Sequence, residues 1–347
     1  MEKVAYILGA GFSAPLGIPI VRNFLSTAKD LYFSDRAQYG HFEPILESIA
    51  KMHKCKSYYD IDLLDIEVIL SILEMEDQVT GENRSNEFAE FVRSVINAKT
   101  PKMPSPALRT NDLLYLQPVD SFATLYFGDP QSVKTAYGLF VASLMHLRLE
   151  VTGVTDAFDQ HCASFRALRI PNPEVEYGVI TLNYDRVLEI WREHVINNLR
   201  TVGQASNQEP PSINLAKLHG SVDGEIVAPT WRKVLSGSLR PDWTLAHRTL
   251  SEANHIRILG YSLPETDSYL RYLLVSAVQF SENLKTIDVI CLDDEQATVE
   301  ERYRQLVSYK EFRFRNKNIA DYLSDGVPDG RHPYGREQSR SASLGRR

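Results

Sequence analysis

The chain has 347 residues, 43% hydrophobic and 24% charged, the balance of a folded globular protein rather than a disordered one. Its net charge of -7 argues against nucleic acid as a partner, and three scattered cysteines (Cys55, Cys162, Cys291) exclude a disulfide framework. No apolar stretch approaches the ~18 residues of a membrane span, Gly9 and Pro15 interrupt any leader-like run, and a reducing cytoplasmic setting is expected.

Residues 4–8 (Val-Ala-Tyr-Ile-Leu) predict a short buried strand. It runs into Gly9-Ala10-Gly11-Phe12-Ser13-Ala14-Pro15. A strand, a glycine turn and a helix start make a cradle for a nucleotide phosphate: small residues let backbone N–H groups come close, and the helix dipole favours negative charge. The alternative here is a tight strand–helix turn with no ligand. The turn formally matches Gly-x-Gly-x-x-Gly/Ala with Ala14 in third place, and Asp30 lies near the distance of a ribose-binding acid. Residues 20–33 read as helix, however, so no strand precedes Asp30 and a dehydrogenase-type unit is disfavoured.

Residues 20–165 contain no convincing strand and predict a mainly helical insertion over the nucleotide site. Helical spacing is present at Ile45-Leu46, Ile49 and Met52, at Leu63-Leu64 and Val68 to Leu73, and across 86–97, 132–149 and 155–168. Residues 99–114, with three prolines, predict a loop. Apolar runs at 177–182, 214–218, 256–260 and 287–292 predict four more buried strands, with helices over 185–199, 243–254 and 265–280. The fold class expected is α/β: a Rossmann-like, open, mostly parallel sheet with a large helical insertion between its first and second strands. The expected domain covers 1–325, and residues 326–347, with five arginines against Asp329 and Glu337, predict a disordered basic tail.

Ligands of an open parallel sheet sit outside the carboxyl ends of its strands. Those ends read Gly9 to Ser13, Thr181-Leu182-Asn183-Tyr184-Asp185, His219-Gly220-Ser221, Gly260-Tyr261-Ser262-Leu263-Pro264 and Asp293-Asp294-Glu295. Each has a bland reading too. Asn183 and Asp185 are typical helix caps, His219 fits a simple turn, Asp293 is either a cap or a ribose or adenine contact, and Trp231 is either a stacking surface or core.

Gly9 to Pro19 resembles the sirtuin signature Gly-Ala-Gly-x-Ser-x-x-x-Gly-Ile-Pro. Thr181-Leu182-Asn183-Tyr184-Asp185 resembles the sirtuin Thr-Gln-Asn-x-Asp, Leu218-His219-Gly220 resembles its His-Gly, and Gly260-Tyr261-Ser262-Leu263 stands where sirtuins carry Gly-Thr-Ser-Leu. The resemblance covers roughly 1–25 and 175–300. Only Cys291 follows His219, so the four-cysteine zinc module of sirtuin deacylases has no counterpart and no metal is expected. With Asp65-Ile66-Glu67-Val68-Ile69-Leu70 in the insertion and a later Pro-Thr-Trp, the chain looks like the sirtuin-like effector domains of bacterial antiphage defence, which hydrolyse NAD to nicotinamide and ADP-ribose.

That resemblance implies NAD as substrate, Asn183 and His219 as catalytic residues, and a binding site from Gly9, Ala10, Gly11, Phe12, Ser13, Pro19, Thr181, Asp185, Gly260, Tyr261, Ser262 and Asp293. The backbone of Gly9 to Ser13 would clamp the pyrophosphate with Ser262 opposite, Asp185 would hold the nicotinamide carboxamide, and Asp293 would bind the adenosine side. Effectors of this type imply a homo-oligomer, a partner ATPase of the HerA type or a phage-derived activator. The rival readings are a NAD-dependent deacylase or ADP-ribosyltransferase, and a non-catalytic sensor of ADP-ribose or a NAD-derived nucleotide.

Overall fold

The computed structural model describes residues 1–55, 62–103, 132–157, 160–170, 173–201, 212–227, 237–264, 267–279 and 281–325. Trp231, most of the 99–114 loop and the 326–347 tail lie outside those residues. The main sheet has six strands: β1 (Glu2–Leu8), β4 (Val175–Thr181), β5 (Asn214–Lys217), β6 (His255–Leu259), β7 (Thr286–Cys291) and β8 (Phe312–Asn316). Their order is β5-β4-β1-β6-β7-β8, and every pairing is parallel. The chain winds outward from β1 on one side, then returns and winds outward on the other. This is a doubly wound sheet, and the strand order reverses beside β1, where such folds open a ligand crevice.

Period-two alternation makes β1 a two-sided core strand. Val4, Tyr6 and Leu8 face one apolar layer, and Ala5 and Ile7 face the other. The first layer is closed by α7 (Val133–Leu144), α8 (Val187–Thr201) and α12 (Ile319–Ser324), with Trp191 fully buried and Tyr6 edge-on to Phe140 at 5.2 Å. The second is closed by α9 (Arg240–Ser251), α10 (Ser268–Val278) and α11 (Thr298–Leu306).

Between β1 and β4 lie α1 (Ala10–Ser13), α2 (Val21–Ser34), α3 (Arg36–Tyr39), α4 (Glu43–Cys55), α5 (Ile66–Thr80), α6 (Arg84–Lys99) and α7. Helices α2 and α4 to α6 bury a separate apolar cluster around Phe24, Phe42, Ile69, Phe88 and Phe91. Tyr184, Val222 and Ile226, from the loops at the ends of β4 and β5, complete that cluster and seat the insertion on the sheet's carboxyl edge.

Two expectations change. The helix expected over 155–168 is one arm of an antiparallel hairpin, β2 (Leu147–Ala157) with β3 (Gln160–Arg169), and the helix expected over 132–149 ends at Leu144. The insertion therefore holds two strands as well as helices. Val151, Thr152, Val154 and Thr155 are β-branched, which favours a strand over a helix there. Strand β8 is the second change: Phe-Arg-Phe-Arg-Asn alternates as a half-exposed edge strand, not as a buried apolar run. Among the described residues no helix is long and apolar enough to cross a membrane.

Candidate active site

At the carboxyl end of β1 the chain turns hard against the end of β6. Gly9 N donates to Leu259 O at 3.0 Å, Gly11 N to Gly260 O at 2.8 Å and Phe12 N to Gly9 O at 2.8 Å. A Cβ on Gly11 would stand 2.8 Å from the Gly260 carbonyl oxygen, and Gly260 itself sits at φ 65° with its own Cβ position 2.3 Å from Phe12 N. The small residues are thus required by the contact between the two turns. Phe12 points into the core against Tyr137 and Phe140, and its carbonyl accepts the Tyr137 hydroxyl.

The end of β4 is tied to this turn by its side chains. Thr181 Oγ1 accepts the Asn183 N–H at 3.1 Å, and Asn183 Nδ2 donates to Gly9 O at 3.0 Å and to Ser13 Oγ at 3.2 Å. A carbonyl accepts only, so the Gly9 contact fixes which end of the amide is nitrogen. Both amide hydrogens are engaged with the protein, and Oδ1 is left for a ligand. Ser13, fully buried, also hydrogen-bonds the Asp185 carboxylate, whose Oδ1 accepts the Val187 N–H at 3.0 Å. Burial raises the Asp185 carboxyl above the ordinary aspartate range, and the bonds from Ser13 and Val187 oppose that rise.

His219 follows β5 and is 2% exposed. Its Nδ1 is 3.4 Å from Glu67 Oε1 and its Nε2 is 3.9 Å from Asp267 Oδ2. Asp267 Oδ2 accepts the Tyr261 hydroxyl at 2.8 Å, so the end of β6 and the start of α10 meet beside the histidine. Glu67 comes from the first turn of α5, which Asp65 caps by accepting the backbone N–H groups of Glu67 and Val68. Burial, and then the neighbouring Glu67 charge, push the Asp65 carboxyl up to about 6.

These groups border one cavity of about 620 Å³ over the strand-order reversal, within the ~300–1,000 Å³ of small-molecule and cofactor clefts. Of the residues expected from sequence, Ala10, Gly11, Pro19, Asn183, Asp185, His219, Gly260, Tyr261 and Ser262 line it. Gly9, Phe12, Ser13 and Thr181 stand behind its wall as supports. The expected clamp of backbone N–H groups from Gly9 to Ser13 is narrowed accordingly, because those of Gly9, Gly11 and Phe12 bond within the protein. Asp293 lies off the cavity; its carboxylate caps α11 by accepting the N–H groups of Val299 and Glu300, each at 2.8 Å.

Sequence reading left Arg22, Asp62, Asp65, Glu67, Asp267 and Lys317 out of the site, yet all border the cavity. The wall is therefore mixed in charge: five acidic side chains (Asp62, Asp65, Glu67, Asp185, Asp267) share it with Arg22 and Lys317, and Lys317 also pairs with Asp325. Such a wall suits a ligand that carries both an anionic group and a site of positive charge. Among the described residues no cluster of three metal-ligating side chains is present.

No family model matches the chain, and no curated protein matches it. Solved structures are similar at low identity. A Sir2 in complex with the inhibitor EX-527, 2'-O-acetyl-ADP-ribose and a deacetylated p53 peptide is 12% identical, with a TM-score of 0.35 over 93% of this chain and 91% of that one. A Sir2–p53 peptide–NAD+ complex is 13% identical, with a TM-score of 0.34 over 93% of this chain and 90% of that one.

Proposed function

We propose that this chain is a NAD glycohydrolase that cleaves the bond between nicotinamide and ribose to give nicotinamide and ADP-ribose. One observation carries the reading: Asn183 and His219, each in a sirtuin-like motif, border the same cavity with the glycine turn, at the point where strand order reverses. The mixed charge of the wall supports it, since NAD joins an anionic pyrophosphate to a cationic pyridinium.

In this reaction the electron pair of the N-glycosidic bond leaves with nicotinamide, which departs neutral, and positive charge develops at the ribose anomeric carbon. The carboxylates near His219 stabilise that charge electrostatically. Asn183, uncharged at every pH, orients the attacking water through Oδ1. Water oxygen bonds to the anomeric carbon, and its proton passes to His219 Nε2 or to solvent. Asp185 faces the nicotinamide carboxamide, and Arg22 and Ser262 take the pyrophosphate side in place of the backbone donors that the turn uses internally.

The setting proposed is depletion of cellular NAD in antiphage defence, with the chain working as a homo-oligomer, with a HerA-type ATPase, or after a phage-derived trigger. The sequence resemblance alone supports that setting. Incubation of purified protein with NAD, followed by chromatography and mass spectrometry, tests the reaction. Free ADP-ribose and nicotinamide are expected. A deacylated or ADP-ribosylated acceptor, or intact NAD with tight nucleotide binding, would replace this reading with a transferase or a sensor.

A further inference from the structure

The acidic turn at the start of α5 has a use that capping does not explain. Asp65 already caps that helix, so the Glu67 side chain is not needed for the cap. An acid in the first helical turn gains a little from the helix dipole while it stays in water. Glu67 does not stay in water: its side chain is 19% exposed, borders the cavity and puts Oε1 3.4 Å from Nδ1 of the buried His219. Withdrawing a carboxylate from water is costly unless it meets a donor, and an ionised carboxylate only accepts. At 3.4 Å, closer than the 3.9 Å between Nε2 and Asp267 Oδ2, the Glu67 carboxylate favours the His219 tautomer with its proton on Nδ1, by charge and without a formed hydrogen bond. Nε2 then presents its lone pair in the direction of Asp267 Oδ2, across 3.9 Å, too far for a direct hydrogen bond.

We infer that Glu67 is a positioning residue for His219: it fixes the tautomer and orientation of the ring, so the helical insertion, and not the sheet alone, completes the site. The catalytic consequence rests on the NAD-cleaving reading; the hold on the ring does not. A carboxylate behind an imidazole that works on its substrate through the other nitrogen is a recurrent arrangement, and its amide variant favours the wrong tautomer.

The test compares wild type with Glu67→Gln, and with Glu67→Asp as a shorter carboxylate that also serves if the Gln variant does not fold. Nitrogen-15 spectra of the histidine rings report the tautomer, and the His219→Ala spectrum identifies the His219 signals among the nine histidines. Glu67→Gln is expected to move the His219 ring nitrogens toward the Nε2–H form and to lower kcat for nicotinamide release roughly 10²-fold, with little change in KM. Glu67→Asp is expected to fall between the two. Ring signals unchanged in both variants overturn the inference whatever the activity, and so does an unchanged kcat in Glu67→Gln when the wild type is active. If the ring signals move while the wild type releases no nicotinamide, the hold on His219 stands and the proposed reaction fails.

Discussion

Gly11 donates its backbone N–H to the carbonyl oxygen of Gly260 at 2.8 Å, which joins the turn after β1 to the turn after β6. The two turns are adjacent because β1 and β6 pair in parallel from Val4↔His255 to Leu8↔Leu259. Gly260→Ala is expected to be severely destabilising. Its Cβ would stand 2.3 Å from both Gly11 C and Phe12 N, all rigid backbone, at a positive φ. Overpacking alone costs about 1–3 kcal/mol, and a left-handed non-glycine residue adds roughly 1–2 kcal/mol. A urea unfolding midpoint close to wild type would contradict the interlock.

Asn183→Ala removes the only polar atom of that side chain left for a ligand, and it also removes the donor to Gly9 O and Ser13 Oγ. Loss of a well-placed positioning group is expected to lower kcat for nicotinamide release roughly 10²-fold. Gly9 O keeps the Phe12 N–H as a partner, so the lost bonds cost only about 1 kcal/mol of stability. Circular dichroism at the assay temperature separates the two effects, because a folded variant that cleaves NAD as fast as wild type removes Asn183 from the mechanism.

Arg22→Ala is expected to raise KM for NAD about tenfold with a smaller change in kcat. Arg22 borders the cavity where the internally bonded turn offers few backbone donors, so its guanidinium is, with Ser262, the partner expected for a pyrophosphate. The wild-type KM should also rise with salt, and that rise should shrink in the variant, since an exposed charge pair is screened. Equal KM values at low ionic strength would place the pyrophosphate elsewhere.

Asp65 gives a pH signature of folding. Its carboxyl lies at about 6 in the folded chain against an ordinary 3.8, chiefly because of burial. The folded chain thus holds this proton more tightly than the unfolded one. The stability this contributes is full below 3.8 and is lost as pH rises through about 6. Asn caps a helix as well as Asp does, so Asp65→Asn is expected to melt higher than wild type at pH 7.5, with the difference closing toward pH 4. A constant difference in melting temperature across that range would assign the effect to the cap and not to the proton.

How far the sequence carries depends on whether the signal is local. Strands β1, β4, β6 and β7 were legible because each is a short run buried on both faces, and the ends of β4 and β6 supplied Asn183, Asp185 and Gly260 directly, as the end of the short apolar run at β5 supplied His219. Strand β8 was not, because an edge strand alternates Phe with Arg and resembles no buried run. The β2–β3 hairpin was misread as helix because its apolar residues satisfy both periods, and only the β-branched Val151 to Thr155 stretch distinguishes them. Glu67 and Asp267 were out of reach for another reason. They lie 152 and 48 residues from His219, and helix packing alone brings them beside it.

Arg93 provides the last test, because it ties the insertion to the loop that carries His219. From α6, its Nε donates to Val222 O and its Nη2 to Gly224 O, each at 2.7 Å. Those two carbonyls belong to the loop in which Gly220 bridges Ile226 and Val227 N returns to His219 O at 3.0 Å. Arg93→Ala leaves both acceptors to water, at a stability cost of about 1 kcal/mol, and frees the loop from the insertion. Faster hydrogen exchange is expected at the amides of Ser221, Val222 and Val227, with nicotinamide release reduced severalfold at temperatures where the variant is fully folded. Arg93→Lys should restore little, since one ammonium does not reproduce a fork that reaches two carbonyls. A purely structural role would lower the melting temperature and leave both the loop's exchange and kcat unchanged well below it. The loss of kcat, and not the loss of stability, is therefore the measurement that decides whether the insertion holds the histidine loop in its working position.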